Sequence, residues 1–463
     1  MSNKVPRTVS REEAEKILKL PKEEAIKKIL EIGNKAEKYD QLQNDDDPTT
    51  PSGMKPPYSK PSGKKRKRKS GRKKGHRGAF RPKPEKIDHH KEHTLEQCPK
   101  CDNQVNDPVS SYTRYTEDIP PVEPEVTEHI LYGYWCGHCR KIVYPKVTDA
   151  LPNANIGLRV VVFTAWLHYL VGVSVNNIVR LLKVFANFSV SAGGLTQAWK
   201  KLAFTLEPVY ADIGAKIKTS AALNADETGW RINGITHWLW CFATQKLCYY
   251  VIDRSRGSPV VKRVFGKIFQ GILICDFWGA YNKLCALAKQ RCFYHLFTEL
   301  VKVDKRNKSK QWAAFRKKLS RLLKDAIRLQ NNNQLTADRF TKRKTRLYSR
   351  LENLISSSYE DKDARRLIKR LKRHKDELFT FLEYEGVSPF NNHGEQQMRK
   401  PAIARKISHQ NRSKDGAKTQ AILLSVFRSA ELQNKNPVDA VLFMVKNLIN
   451  PAKIIPPDMC FTV

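Results

Sequence analysis

Two aspartates and one glutamate are the residues in this chain best suited to chemistry. Asp226 ends the apolar run "SAALNADETGW", and Asp276 ends a second, "GILICDFWGAYNKL", fifty positions later. Each reads as the C-terminal end of a buried strand, so two carboxylates converge at one sheet edge if those strands are neighbours. Glu395 follows in "SPFNNHGEQQMRKPAIARK", where a polar loop turns into a helix. By itself it reads as a first-turn glutamate favouring the positive end of a helix dipole. With the two aspartates it becomes a third hard oxygen donor for Mg²⁺ or Mn²⁺, ions that serve phosphoryl transfer. Glu227, beside Asp226, points to the opposite side of an extended strand and ranks second.

A separate chemistry is written in cysteine. "CPKC" (Cys98, Cys101) and "CGHC" (Cys136, Cys139) are two Cys-x-x-Cys knuckles with a strand expected over "EVTEHILYGYWC" between them. Four thiolates at tetrahedral geometry suit structural Zn²⁺, and such a closed site has no open position for catalysis. His138 inside the second knuckle reads as an outward turn residue.

These groups need elements to position them. The pattern predicts three meandering strands, "THWLWCFATQ" and "KLCYYVIDRSR" being a hairpin. A helix over "SPVVKRVFGKIF" capped by Ser258 comes next, then the Asp276 strand, a helix, and a fifth strand at "QRCFYHL". That order is ribonuclease-H-like. The predicted fold class is therefore multidomain α+β, with a ribonuclease-H-like α/β catalytic core over 219–430 that carries a helical insertion at about 300–385. Ahead of it come a helical region (1–43), a disordered linker with a basic arm (44–86), a zinc ribbon (87–150) and a helical module (151–218). A C-terminal helical tail (431–463) closes the chain. The module "SVNNIVRLLKVFANFSVSAGGLTQAWKKLAFTLEPVYADI" reads as helix, turn at Gly193 and Gly194, helix. It is either a helix-turn-helix presenting Gln197, Lys200 and Lys201 to DNA or an ordinary helical pair.

Charge narrows the partners. Lys and Arg number 84 against 46 Asp and Glu, a net +38 with a pI near 9.8. Such an excess favours a polyanion, with nucleic acid ahead of a membrane surface. The arm Lys64, Lys65, Arg66, Lys67, Arg68, Lys69, Arg72, Lys73 and Lys74 has no acid among its bases and suits phosphate backbone. The N-terminus lacks the apolar core of a signal peptide, and "LRVVVFTAWLHYLVGV" reads as a buried helix, too short and too charged to span a bilayer.

Taken together, "ADETGW", "DFWGAYNKL", "RCFYHL" and "NNHGEQQMRKPAIARKISHQNRSKDGA", behind the double Cys-x-x-Cys, resemble a bacterial insertion-sequence transposase of the insertion sequence sixty-six family. The resemblance covers roughly 64–448. It implies an Asp-Asp-Glu triad at Asp226, Asp276 and Glu395 holding Mg²⁺ or Mn²⁺, with Zn²⁺ structural in the ribbon. The family's Asn-Asn-x-x-Glu-x-x-x-Arg-Pro pattern is met by Asn391, Asn392, Glu395 and Arg399, with Lys400 intervening before Pro401. Its Cys-x-x-His falls on Cys292 and His295. His295, Asn391, Asn392, Arg399 and Arg405 are thereby candidates to contact phosphate or DNA, as is Lys262. The implied partners are transposon ends and target DNA, further copies of the chain in a synaptic complex, and accessory proteins of the same element, with no membrane. The implied location is the bacterial cytoplasm, at the nucleoid. Two rival readings stand beside this one: a non-catalytic zinc-ribbon DNA-binding regulator derived from a transposase, and a ribonuclease-H-like nuclease.

Overall fold

The computed structural model describes residues 20, 21, 23–26, 81–332 and 334–450. The basic arm, nearly all of the region 1–43, most of the linker 44–86 and residues 451–463 lie outside the described residues.

Between 81 and 150 no residue is buried. Two three-residue strands, β1 (Tyr134–Cys136) and β2 (Lys141–Val143), pair antiparallel with Cys136 opposite Lys141. The strand expected over "EVTEHILYGYWC" shrinks to its last three residues. Its upstream part is exposed on every side, and alternation makes a strand only where one face has something to pack against.

Helices α1 (Leu158–Trp166), α2 (Val175–Ala186), α3 (Ala192–Thr205) and α4 (Glu207–Lys218) follow, with α1 running into a π-helical turn over Leu167–Val171. The α2–α3 turn lies earlier than expected. Asn187 ends α2 in the left-handed region at φ 46°, and the Ser191 hydroxyl accepts from the Gly194 amide to start α3. An N-cap serine fixes a helix start more firmly than glycines break one, so Gly193 and Gly194 lie inside the first turn of α3.

The central sheet holds β3 (Ala222–Ile232), β4 (Ile235–Ala243), β5 (Cys248–Asp253), β6 (Ile268–Cys275) and β7 (Cys285–Arg291), in the order β5-β4-β3-β6-β7. The first three are antiparallel, and β6 and β7 run parallel to β3. The β3–β4 turn is Asn233–Gly234, both at positive φ (47° and 76°), the two-residue turn whose twist matches a hairpin. Helix α5 (Ser258–Phe265) is capped by Gly257 rather than Ser258. A 3₁₀ turn (Gly279–Lys283) stands where a helix was expected after Asp276. The fifth strand is Cys285–Arg291, and "QRCFYHL" covers only its end and the start of α6 (Phe293–Arg306).

Beyond α6 come α7 (Lys310–Gln330), α8 (Ala337–Ser356) and α9 (Lys362–Arg373), then α10 (Asn392–Ser408), α11 (Lys414–Leu432) and α12 (Pro437–Ile449). The sheet separates two hydrophobic clusters, and β6 contributes to both by its period of two. Leu273 and Cys275 join the cluster built with α1–α4, α11 and α12. Ile272 and Ile274 join the one built with α6–α9. The edge strand β5 is covered: its Cys248 and Tyr250 amides donate to the Ser429 and Ser425 hydroxyls of α11 at 3.0 and 2.9 Å. Covering that edge removes a template for pairing with another chain.

Candidate active site

Asp226 lies mid-strand in β3, opposite Cys241 of β4, rather than at a strand end as expected. Its partnership with β6 ends sooner, at Asn224 opposite Ile274. Two residues further along each chain bring Asp226 and Asp276 level, at the end where the parallel pair parts. The two aspartates thus lie level on neighbouring strands, as expected, although Asp226 does not end its strand. Glu395 comes from the first turn of α10.

The other acids act on Asp226. Burial first, then the negative charges of Glu227 and Asp276, with Glu395 contributing, hold the Asp226 carboxyl well above the usual range. The Glu227 amide, donating to Asp226 Oδ1 at 2.9 Å, works the other way. Asp276 Oδ1 accepts from the Trp278 amide at 2.8 Å. Glu395 Oε1 is buried without a hydrogen-bond partner. A buried aspartate whose proton affinity is raised by neighbouring acids, beside a carboxylate with one oxygen unsatisfied, is a donor set suited to a hard divalent cation. The donor types suit the metal that the sequence implies, but the oxygens of Asp226, Asp276 and Glu395 do not all lie within 4.8 Å of one another, so an ion would have to draw them together.

Several residues that sequence reasoning missed keep this arrangement in place. Arg291, buried at the end of β7, donates to the Asp276 carbonyl at 2.7 Å while its Nε binds Glu377 at 2.6 Å and its Nη2 binds Asn282 at 2.8 Å. A fully buried arginine is rare enough that "AKQRC" could have drawn attention only once β7 was assigned correctly.

Glu227, ranked second from the sequence, is held in a polar network of its own. It is buried, Arg256 binds it at 3.1 and 3.2 Å, and the Tyr281 hydroxyl donates to it at 2.6 Å. Arg256 in turn lies between the rings of Trp238 and Trp278, at 4.4 and 3.8 Å. Burial, then the Asp276 charge, push the Glu227 carboxyl up to about 7 against the pull of Tyr281 and Arg256.

Asn391 is a second correction. It is fully buried, accepting from Asn224 Nδ2 at 2.9 Å and donating to the Ala225 carbonyl at 2.9 Å, so it faces β3 and not DNA. The amide folds so closely over α10 that a Cβ at Gly394 would meet Asn391 Oδ1 at 2.8 Å, and glycine there lets the helix start beside β3. Asn392 and Arg399 are exposed. Arg405 is half-buried, its guanidinium donating to the Gly229 carbonyl and reaching Thr228 Oγ1 at 3.4 Å, so it serves β3 at least as much as any phosphate. Lys262 is exposed on α5. In α3, Gln197 is exposed, Lys200 pairs with Asp415 at 2.5 Å, and Lys201 donates to the Asn153 carbonyl at 3.0 Å.

His295, partly exposed in the first turn of α6, has Nδ1 4.0 Å from Glu395 Oε1. Cys292, the cap residue of α6, is buried, which pushes its thiol up to about 11.

In the cysteine region each knuckle is closed on itself. The Cys101 and Asp102 amides donate to the Cys98 carbonyl at 3.3 and 2.8 Å, and the Cys139 amide donates to Cys136 Sγ at 3.4 Å. Hydrogen bonds lower both leading thiols, from the Lys100 amide and then Cys101 for Cys98, and from the Cys139 amide and thiol for Cys136. The two pairs do not come together: among the described residues, the one set of three His, Cys, Asp or Glu ligand atoms within 4.8 Å of one another is Cys292, His295 and Glu395.

No described helix is long and apolar enough to cross a membrane. Comparison with protein families finds two matches: the "Transposase IS66 family" over residues 155–419, and the "zinc-finger binding domain of transposase IS66" over residues 96–140. Comparison with curated proteins finds no match. The first match takes in all five strands of the sheet and all three carboxylates, and the second takes in both cysteine knuckles. The chain belongs to the IS66 family of transposases.

Proposed function

We propose that this transposase is an active Asp-Asp-Glu enzyme that cuts DNA at the ends of its element and joins the freed 3′ ends to target DNA. The observation that carries this is the level placement of Asp226 and Asp276 on parallel neighbours, with Glu395 close enough to raise the Asp226 carboxyl. The strand order, with three antiparallel strands followed by two parallel ones, supports a ribonuclease-H-like core.

Asp226, Asp276 and Glu395 would hold magnesium or manganese, which when bound supplies charge neutralisation and activation for an in-line displacement at phosphorus. The chain's own part is to fix the three carboxylates before substrate arrives. Arg291 pins the backbone at Asp276, Asn391 docks the start of α10 on β3, and the Glu227–Arg256–Trp278 stack joins the β3 and β6 ends. Preorganisation of this kind removes reorganisation from the reacting step. The zinc-finger domain and the basic arm Lys64–Lys74 would supply DNA affinity, the arm through phosphates and without sequence choice. Synapsis of two ends calls for at least a second copy of the chain.

The test is incubation of purified protein with its element's ends, Mg²⁺ and a target plasmid. Joining of 3′ ends to the plasmid is the expected result. Cutting without joining would reassign the chain as a nuclease, and binding without cutting would leave a DNA-binding regulator.

A further inference from the structure

A second donor set surrounds Glu395 that the carboxylate chemistry does not use. Cys292 caps α6, His295 follows in its first turn, and Glu395 stands in the first turn of α10. The two helix starts are tied together by the Phe293 amide on the Pro389 carbonyl at 2.8 Å and the Asn391 amide on Cys292 Sγ at 3.2 Å. One ligand atom from each of the three residues lies within 4.8 Å of the others. Glu395 Oε1 is buried and has no hydrogen-bond partner, and His295 Nδ1 at 4.0 Å is too far to give it one. His295, at 43% side-chain exposure, opens the set to solvent, while Cys292 closes its floor.

A thiol, an imidazole and a carboxylate make a poor magnesium site and a good zinc site. Bond lengths to zinc of about 2.0–2.3 Å put tetrahedral donors roughly 3.5 Å apart. These three need only about 1 Å of side-chain adjustment to reach that spacing. Three protein ligands also leave a fourth position for water. The amide already directed at Cys292 Sγ suits a thiolate, since ligating sulfurs take their charge stabilisation from such outer contacts.

We propose that Cys292, His295 and Glu395 bind a zinc-class divalent ion, and that occupancy draws Glu395 away from Asp226 and Asp276 and so inhibits the magnesium-dependent reaction. Binding stands on geometry alone, whereas the inhibition rests on the proposed catalytic role of Glu395. The same carboxylate cannot be held against sulfur and nitrogen on α6 and remain free to complete the carboxylate cluster on the sheet.

The experiment uses the full chain with its four-cysteine ribbon loaded with zinc and excess metal removed. Titrated with Co²⁺, the wild-type protein is expected to take one further equivalent and to develop a sulfur-to-cobalt charge-transfer band. Cys292→Ser and His295→Ala are expected to lose both. Their affinity should fall by more than about 100-fold, beyond what loss of an outer contact alone costs. His295→Ala, at a partly exposed position, carries the result if Cys292→Ser does not fold. Absence of the further equivalent in the wild type, or its persistence in both variants, overturns the site. Zn²⁺ at site-filling concentrations should slow cleavage by the wild type but not by His295→Ala, each relative to its own zinc-free rate. Cobalt binding without zinc inhibition overturns the competition. Normal cleavage by Glu395→Gln would refute the catalytic reading while leaving the cobalt result standing.

Discussion

Not one residue between 81 and 150 is buried, whereas the strands β3 to β7 are sealed between two hydrophobic clusters. The same chain thus holds two regions that stay folded by different means. The core gains its stability from apolar area removed from water. The cysteine region has only short knuckles and a hairpin of three residues a side, which is marginal alone. A four-thiolate metal site is the one strong organiser its sequence offers, and there binding energy is folding energy. A second contrast lies inside the core, where most buried groups are satisfied but neighbouring acids raise the proton affinity of Asp226 and Glu395 keeps an oxygen without a partner.

The largest effect expected from this contrast is on the cysteine region. Structural zinc in finger peptides is bound with about 10–16 kcal/mol. Chelation or Cys136→Ser should therefore expose residues 96–140 to proteolysis and leave the core's thermal transition in place. A chelator that also lowered the core transition would erase the distinction between the regions.

Next comes the buried ion pair. Glu227→Gln weakens the charged hydrogen bonds to Arg256 and Tyr281 but also relieves the repulsion from Asp276 that already raises this carboxyl to about 7. The expected loss is that of the hydrogen bonds, about 1.5–3 kcal/mol. Denaturant unfolding should show that loss in the core transition alone. Asn391→Ala should cost less, about 1–3 kcal/mol for stranding Asn224 and the Ala225 carbonyl. It should also weaken cleavage, because α10 would lose its seat on β3. Unchanged stability in this variant would show that α10 is seated by its apolar contacts.

The smallest expected change has the opposite sign. The folded-state proton affinity of Asp226 is raised, so the stability it contributes is present below the ordinary carboxylate range. That stability is lost as pH rises through the raised value. At neutral pH without added divalent ions, Asp226→Asn should therefore stabilise the core, by about 1–2 kcal/mol as is usual where function and stability conflict. The gain should vanish below about pH 4, where the wild-type carboxyl is protonated in both states. Calorimetry across that range checks it, and a destabilised Asp226→Asn protein at neutral pH would contradict the repulsion.

Much of this was legible in the sequence, for physical reasons that differ by element. The strands β4 and β5 and the run before Asp226 declare themselves by buried apolar residues. The knuckles are plain from spacing. What local patterns could not show was partnership. β3 runs six residues beyond Asp226 because β4 continues to pair with it there, and tertiary pairing overrides the turn-forming look of "DETG". β7 begins earlier than expected because parallel pairing with β6 starts at Cys285, a mixed and weakly apolar stretch. Glu227, Arg291 and Asn391 are polar residues whose burial depends on partners 29 to 167 positions away, beyond the reach of periodicity.

The central claim is that Asp226, Asp276 and Glu395 act as one catalytic cluster, and the most direct test is the Glu395→Gln protein. The substitution keeps size and removes the charge, and it lies on a helix already seated by Asn391. With a labelled terminal-repeat duplex and Mg²⁺, binding should match the wild type while strand cleavage and joining both disappear, as for Asp226→Asn and Asp276→Asn. A first-turn glutamate serving only the helix dipole would lose about 0.3–1 kcal/mol of stability and no chemistry. Near-normal cleavage by Glu395→Gln would contradict the cluster.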